Sequence, residues 1–133
     1  MGTQISPMLA VSDPGAAIDF YRRAFGAEVL WQIGEPAEVA GLSVQGAQLF
    51  LARESSVNPR SPDSIGHTTV RIELFVDDPE DVRERAIAAG ARPGSPVVEH
   101  THAIAGGRGS FRMLQGGVDD PFGHIWLIGK FLN

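Results

Sequence analysis

With 133 residues, 43% of them hydrophobic, the chain can close one core and is too short for two independent ones, so a single domain is expected over 1–133. A net charge of −5 and a pI near 5.2 repel phosphate backbones and anionic headgroups at long range, which disfavours nucleic acid and membranes and leaves a small molecule or another protein as partner. The absence of cysteine removes disulfides, thiolate metal sites and a Cys nucleophile.

The N-terminal stretch "MGTQISPML" has no basic segment followed by an apolar run, and no stretch approaches the roughly 20 apolar residues of a membrane span. A soluble, cytoplasmic protein is expected. Gly2 and Ser6 match the loose myristoylation pattern, but the apparent strand from Ile5 onward speaks against a free acylated end.

In chain order, "ISPMLAV" reads as a strand and Asp13-Pro14 opens a helix of about three turns that Gly26 ends. Ala17, Phe20, Tyr21, Ala24 and Phe25 recur at helical spacing and predict one buried face. Three strands follow, "EVLWQI", "AEVAGLSV" and "AQLFLAR". A connecting loop rich in Ser, Pro and Asn fills about 54–66. "TTVRIELFV" is the next strand, Asp78-Pro79 opens a second helix stopped by Gly90, and "SPVVEHTHA", "GSFRMLQ" and "HIWLIG" complete the chain.

The two halves repeat. "VSDPGAAIDFYRRAFGAEV" and "VDDPEDVRERAIAAGARPG" keep their Asp starts 65 positions apart and their Gly stops 64 apart. Each half reads as a βαβββ module, one over about 4–53 and the other over about 67–131. One helix covers one face of each sheet, so two modules side by side leave their bare faces to curve around a cleft. The expected fold class is α+β: two tandem βαβββ modules forming a curved mixed sheet around that cleft.

"DPGAAIDFYRRAFGAEV", "VDDPEDVRERAIAAGA" and "DDPFGHIWLI", together with the repeat, resemble the vicinal oxygen chelate superfamily of glyoxalases, bleomycin-resistance proteins and extradiol dioxygenases. The resemblance implies the glyoxalase/bleomycin-resistance-like fold and, from many relatives, a homodimer. It also implies four cleft positions that hold a divalent metal in the family's enzymes, and here these fall on Ser6, Phe50, Arg71 and Leu127. Phe and Leu have no donor lone pair, Arg is permanently cationic and a lone Ser hydroxyl is a poor ligand, so neither a metal nor another cofactor is expected.

If Ser6 and Phe50 face the cleft, alternation brings Met8 and Gln48 with them. Alternation also sets Arg71, Glu73 and Phe75 opposite the apolar Val70, Ile72, Leu74 and Val76, and predicts that Arg71 and Glu73 pair or meet a polar ligand group. In the last strand Ile125 and Leu127 are expected toward the cleft and Trp126 and Ile128 toward the helix. Arg112 joins the list from the strand after "AGGRGS", a glycine-rich hairpin that carries Arg108 and is a candidate lid.

The favoured function is metal-independent binding of a small, partly aromatic molecule. Two alternatives stay open. One is a glyoxalase-type lyase, isomerase or dioxygenase with a displaced metal set drawn from Glu73, His100 and His102; the other is a dimeric structural or regulatory module with a filled cleft. His67 lies in the loop and His124 in the closing turn, where either a local bond or a position facing the helix is expected, and no serine sits in a G-x-S-x-G elbow.

Overall fold

A computed structural model describes residues 2–133. The first half contains β1 (Met8–Val11), α1 (Pro14–Phe25), β2 (Glu28–Ile33), β3 (Val39–Val44) and β4 (Ala47–Arg53). A single turn, α2 (Pro62–Ile65), interrupts the connection. The second half contains β5 (Arg71–Phe75), α3 (Pro79–Ala89), β6 (Arg92–Pro93), β7 (Val98–Ala103), β8 (Ser110–Asp119) and β9 (Ile125–Phe131).

Both sheets have the same plan. In the first the order is β1-β4-β3-β2 with β1 parallel to β4. In the second it is β5-β9-β8, with β5 parallel to β9 and with β6 and β7 both paired to β8. The α+β fold of two mixed sheets is therefore the one expected from the repeat. Several details differ: β1 and β5 start at Met8 and Arg71, three residues later than the apolar runs suggest, β8 continues to Asp119, the second half has an extra two-residue strand, β6, and the linker contains a turn of helix. That turn forms because the Ser61 side chain accepts from Ser64 N and Pro62 occupies the first helical position.

The long helices begin and end where their caps dictate. Asp13 accepts from Ala16 N at 3.1 Å and Asp78 from Asp81 N at 3.2 Å, satisfying donors that the first turn leaves free. At Gly26 the backbone turns to φ 69°, a left-handed conformation that a side chain would strain.

Helices α1 and α3 pack against each other and join the halves. Phe20, Tyr21, Ala24 and Phe25 of α1 are buried, whereas α3 buries only Pro79 and Ala86 fully. The Tyr21 and Phe25 rings lie 5.6 and 4.6 Å from Trp126 of β9, so the core is continuous across both modules. Each such buried aromatic contributes about 2–3 kcal/mol by leaving water. His124, buried at the start of β9, has Nε2 2.7 Å from the carbonyl of Ala10 on β1; it ties the modules together rather than bonding only within its own turn. Among the described residues no helix is long and apolar enough to cross a membrane.

Candidate functional site

Most of the expected cleft residues lie on the sheet faces turned away from the helices. In the first sheet, register places Met8, Phe50, Gly41 and Trp31 in one row across the strands. A β-bulge between Val29 and Trp31 inserts Leu30 and turns Trp31 to this outer face. Gly41 makes the row possible: a Cβ there would stand 2.4 Å from the Trp31 ring, so only glycine lets the indole lie flat across β3 and meet Phe50 at 5.2 Å, edge to face. Gln48, Ser43 and Glu28 form a polar row beside it. Met8 is 50% exposed and Trp31 40%.

In the second sheet, Arg71 aligns with Ile125, Glu73 with Leu127, and Phe75 with Gly129 and then Gln115. Ile125 and Leu127 are half-buried on this outer face, while Trp126 and Ile128 are buried toward the helices. Gln115 Nε2 donates to Glu73 Oε1 at 3.0 Å, reaching across β9 where Gly129 presents no side chain. Arg71 Nε stands 3.8 Å from Glu73 Oε2, an open ion pair with both side chains substantially exposed. Such a pair holds about 0–1 kcal/mol, so Arg71 can exchange Glu73 for a ligand anion at small cost.

Two expected members fall elsewhere. Arg112 is opposite Thr101, one step out of phase with Phe111, Met113 and Gln115, and so lies on the helix-side face, where its Nη1 donates to Glu99 Oε1 at 3.2 Å. It does not join Arg71 and Glu73. Ser6 precedes β1, and its Oγ is enclosed without a hydrogen-bond partner. Trp31, Gln115, Phe111 and Phe131 belong to the outer faces and were not anticipated. His100 and His102 share one face, as their spacing predicts, with ring centroids 6.2 Å apart. Glu73 lies on β5, three strand spacings across from them, or about 14 Å, and by register four to six residues farther along the strands as well. The register therefore keeps the alternative metal set apart, and among the described residues no three His, Asp or Glu side chains converge.

Two grooves lie among the described residues beside the outer faces. A groove of about 380 Å³ runs between β1 and the segment leading into β5, lined by Met8, Leu9, Ile65, His67, Val70 and Ile72 among others. Another of about 570 Å³ lies at the far end of β5, between Phe75 and Asp77 and the hairpin residues Val44 and Ala47. Neither joins the Phe50 row to Arg71.

The profile of the Glyoxalase/Bleomycin resistance protein/Dioxygenase superfamily matches residues 4–128, nearly the whole of both modules. The chain belongs to this superfamily. An uncharacterized protein of Mycobacterium bovis is 34% identical over 133 residues, covering 95% of this chain and 82% of the relative. Among solved structures, TioX from Micromonospora sp. ML1 is similar at 27% identity and a TM-score of 0.69, covering 98% of this chain and all of that one. A gene product from Arabidopsis thaliana is similar at 28% identity and the same TM-score, with 98% and 100% covered.

As a glyoxalase-superfamily member, the chain can be tested for the metal that the superfamily's enzymes hold. Its donors do not fit: Phe50 and Leu127 are hydrocarbon, Arg71 brings a fixed positive charge, and Ser6 offers one enclosed hydroxyl. What the arrangement offers instead is a cation, a carboxylate and an amide on one face and an aromatic row on the other.

Proposed function

We propose that this glyoxalase-superfamily protein reversibly binds a small, partly aromatic molecule, without a metal, in a cleft assembled between the two kinds of outer face. Arg71 carries the reading: a loosely paired guanidinium takes the place of a metal ligand and faces the same way as Leu127 and Phe75. It orients a carboxylate or carbonyl group of the ligand, and Trp31, Phe50 and Met8 cover the ring. Because each face is open within one chain, the cleft is completed by a second copy, the homodimer that the resemblance implies.

A thermal-shift screen of aromatic acids and antibiotics tests this, since a ligand bound only by the folded state raises its melting temperature. Saturable shifts that Arg71→Ala abolishes are the expected result. A uniformly flat screen favours the dimeric structural or regulatory module with a filled cleft. Stoichiometric zinc, nickel, manganese or iron in protein purified without chelator favours the lyase, isomerase or dioxygenase reading.

A further inference from the structure

The larger groove, of about 570 Å³, opens where the two modules meet at the far end of β5. Its floor is apolar, made by Phe25 at the end of α1, Val44 of β3 and Val82 of α3. Two opposite charges stand on its wall unpaired. Asp77 and Arg85 both line the groove, and neither side chain has an ion pair among the described residues. Asp77 precedes the cap of α3 and Arg85 lies two turns into the helix, about 10 Å farther along its axis, which keeps the two from meeting. The remaining side is a strand edge. Val76 N donates to Gly129 O at 2.9 Å in the parallel ladder of β5 and β9, so by alternation the N–H and C=O of Phe75 point away from β9, on the side that borders the groove. Among the described residues β5 has no neighbouring strand on that side.

We infer that this groove binds a dipeptide with apolar side chains, as its zwitterion, at a site separate from the Arg71 face. Its ammonium meets Asp77, its carboxylate meets Arg85, its backbone pairs with the free edge at Phe75, and its side chains cover Phe25, Val44 and Val82. Charge selects this occupant over a plain hydrocarbon, because two unpaired ions of opposite sign in one groove match a ligand that carries both. The other carboxylates are already engaged: Glu73 accepts from Gln115, and Asp78 accepts from Asp81 N. Length selects it over a single amino acid, since an extended dipeptide measures roughly 7 Å from end to end and reaches both ions with a hydrogen bond at each terminus.

Leucyl-leucine, glycyl-glycine, N-acetyl-leucyl-leucine and leucyl-leucinamide, titrated by calorimetry into the full-length protein, test the groove. Leucyl-leucine is expected to bind saturably, and each of the other three about ten-fold more weakly or worse, as the loss of apolar side chains or of one charge-assisted bond implies. Asp77→Asn should remove the preference for a free amine and Arg85→Gln the preference for a free carboxylate, both at exposed positions, while Arg71→Ala should alter neither. Preferences that persist in the Asp77 and Arg85 variants overturn the inference. Binding that Arg71→Ala abolishes also overturns it, because the peptide then sits on the face proposed for the aromatic ligand. No binding of leucyl-leucine overturns it and leaves the proposed function standing. Amide signals of Phe75 and Val82 that shift with protein concentration alone identify a second copy as the occupant, which overturns it as well.

Discussion

Tyr21 and Asp120 are 99 positions apart in the chain and 2.5 Å apart in space, the phenol donating to the carboxylate Oδ2 inside the core. The same oxygen accepts from Trp126 Nε1 at 2.9 Å, and Oδ1 accepts from the backbone N–H groups of Phe122 and His124. One buried carboxylate thus fastens α1 of the first module to the closing turn and last strand of the second. Its charge is tolerable because it accepts these four bonds.

Tyr21→Phe should lower the stability to urea by about 1.5–3 kcal/mol, the contribution of a hydrogen bond to a charged group. Asp120→Ala strands several donors at once and should cost about 3 kcal/mol or more. Burial, and then the Asp120 charge, hold the Tyr21 hydroxyl well above its ordinary pKa of 10.0. A folded-state pKa raised in this way leaves the contribution whole below pH 10 and erodes it above, because the unfolded phenol ionises first. The stability difference between wild type and Tyr21→Phe should therefore shrink as urea titrations move above pH 10.

The linker has its own acid-sensitive clasp. Glu54 Oε1 accepts from Arg60 Nε at 2.7 Å, and Oε2 accepts from Ser64 Oγ at 2.7 Å and Ser61 Oγ at 3.0 Å. The Arg60 bond, followed by that of Ser64, brings the Glu54 carboxyl from 4.5 down to about 2. A depressed value means that the clasp is complete above pH 4.5 and is lost as the pH falls toward 2. Amide exchange across 54–66 should accelerate over that window, after correction for intrinsic rates, and Glu54→Gln should be fast at both ends of it.

Gly41→Ala tests the aromatic row of the first sheet. The new methyl cannot share space with the Trp31 indole, so the ring should swing into water and lose Phe50, while the backbone, which needs no left-handed φ at this position, stays in place. Trp126 is 2% exposed and should keep emitting from the core. Tryptophan fluorescence should shift to the red, with stability changed by less than about 1 kcal/mol for a side chain already half in solvent.

The proposed homodimer is open to direct test. Sedimentation velocity should give twice the 14.2 kDa chain mass, and a charge placed among the exposed apolar groups beside β1, as in Met8→Asp, should return the monomer.

Much of this architecture was readable in the order of residues. Asp13 and Asp78, Gly26 and Gly90 bracket the helices because caps act within four residues, and the repeat of those brackets disclosed two modules. Alternation also separated Arg71, Glu73 and Phe75 from their apolar neighbours, since a strand exposes every second residue to the same side. Arg112 shows the limit. "SFRMLQ" divides into Phe111, Met113, Gln115 and Arg112, Leu114, and with an apolar residue in each set only the pairing of β8 with β9 decides which looks away from the helices. Trp31 was hidden for another reason: counted from Val29 it belongs on the inner face, and the bulge reverses that.

What the sequence determined by itself is whatever arises from neighbours along the chain: helix limits, strand alternation, the duplication, and the lack of metal donors at Phe50, Arg71 and Leu127. Tertiary structure alone decided which strands lie side by side, and through that the Tyr21–Asp120 bond, the reach of Gln115 to Glu73 and the groove that Asp77 and Arg85 share. The reason is range. Caps and pleats are short-range backbone geometry, whereas these contacts depend on packing two sheets about a common pair of helices, a result that no single segment contains.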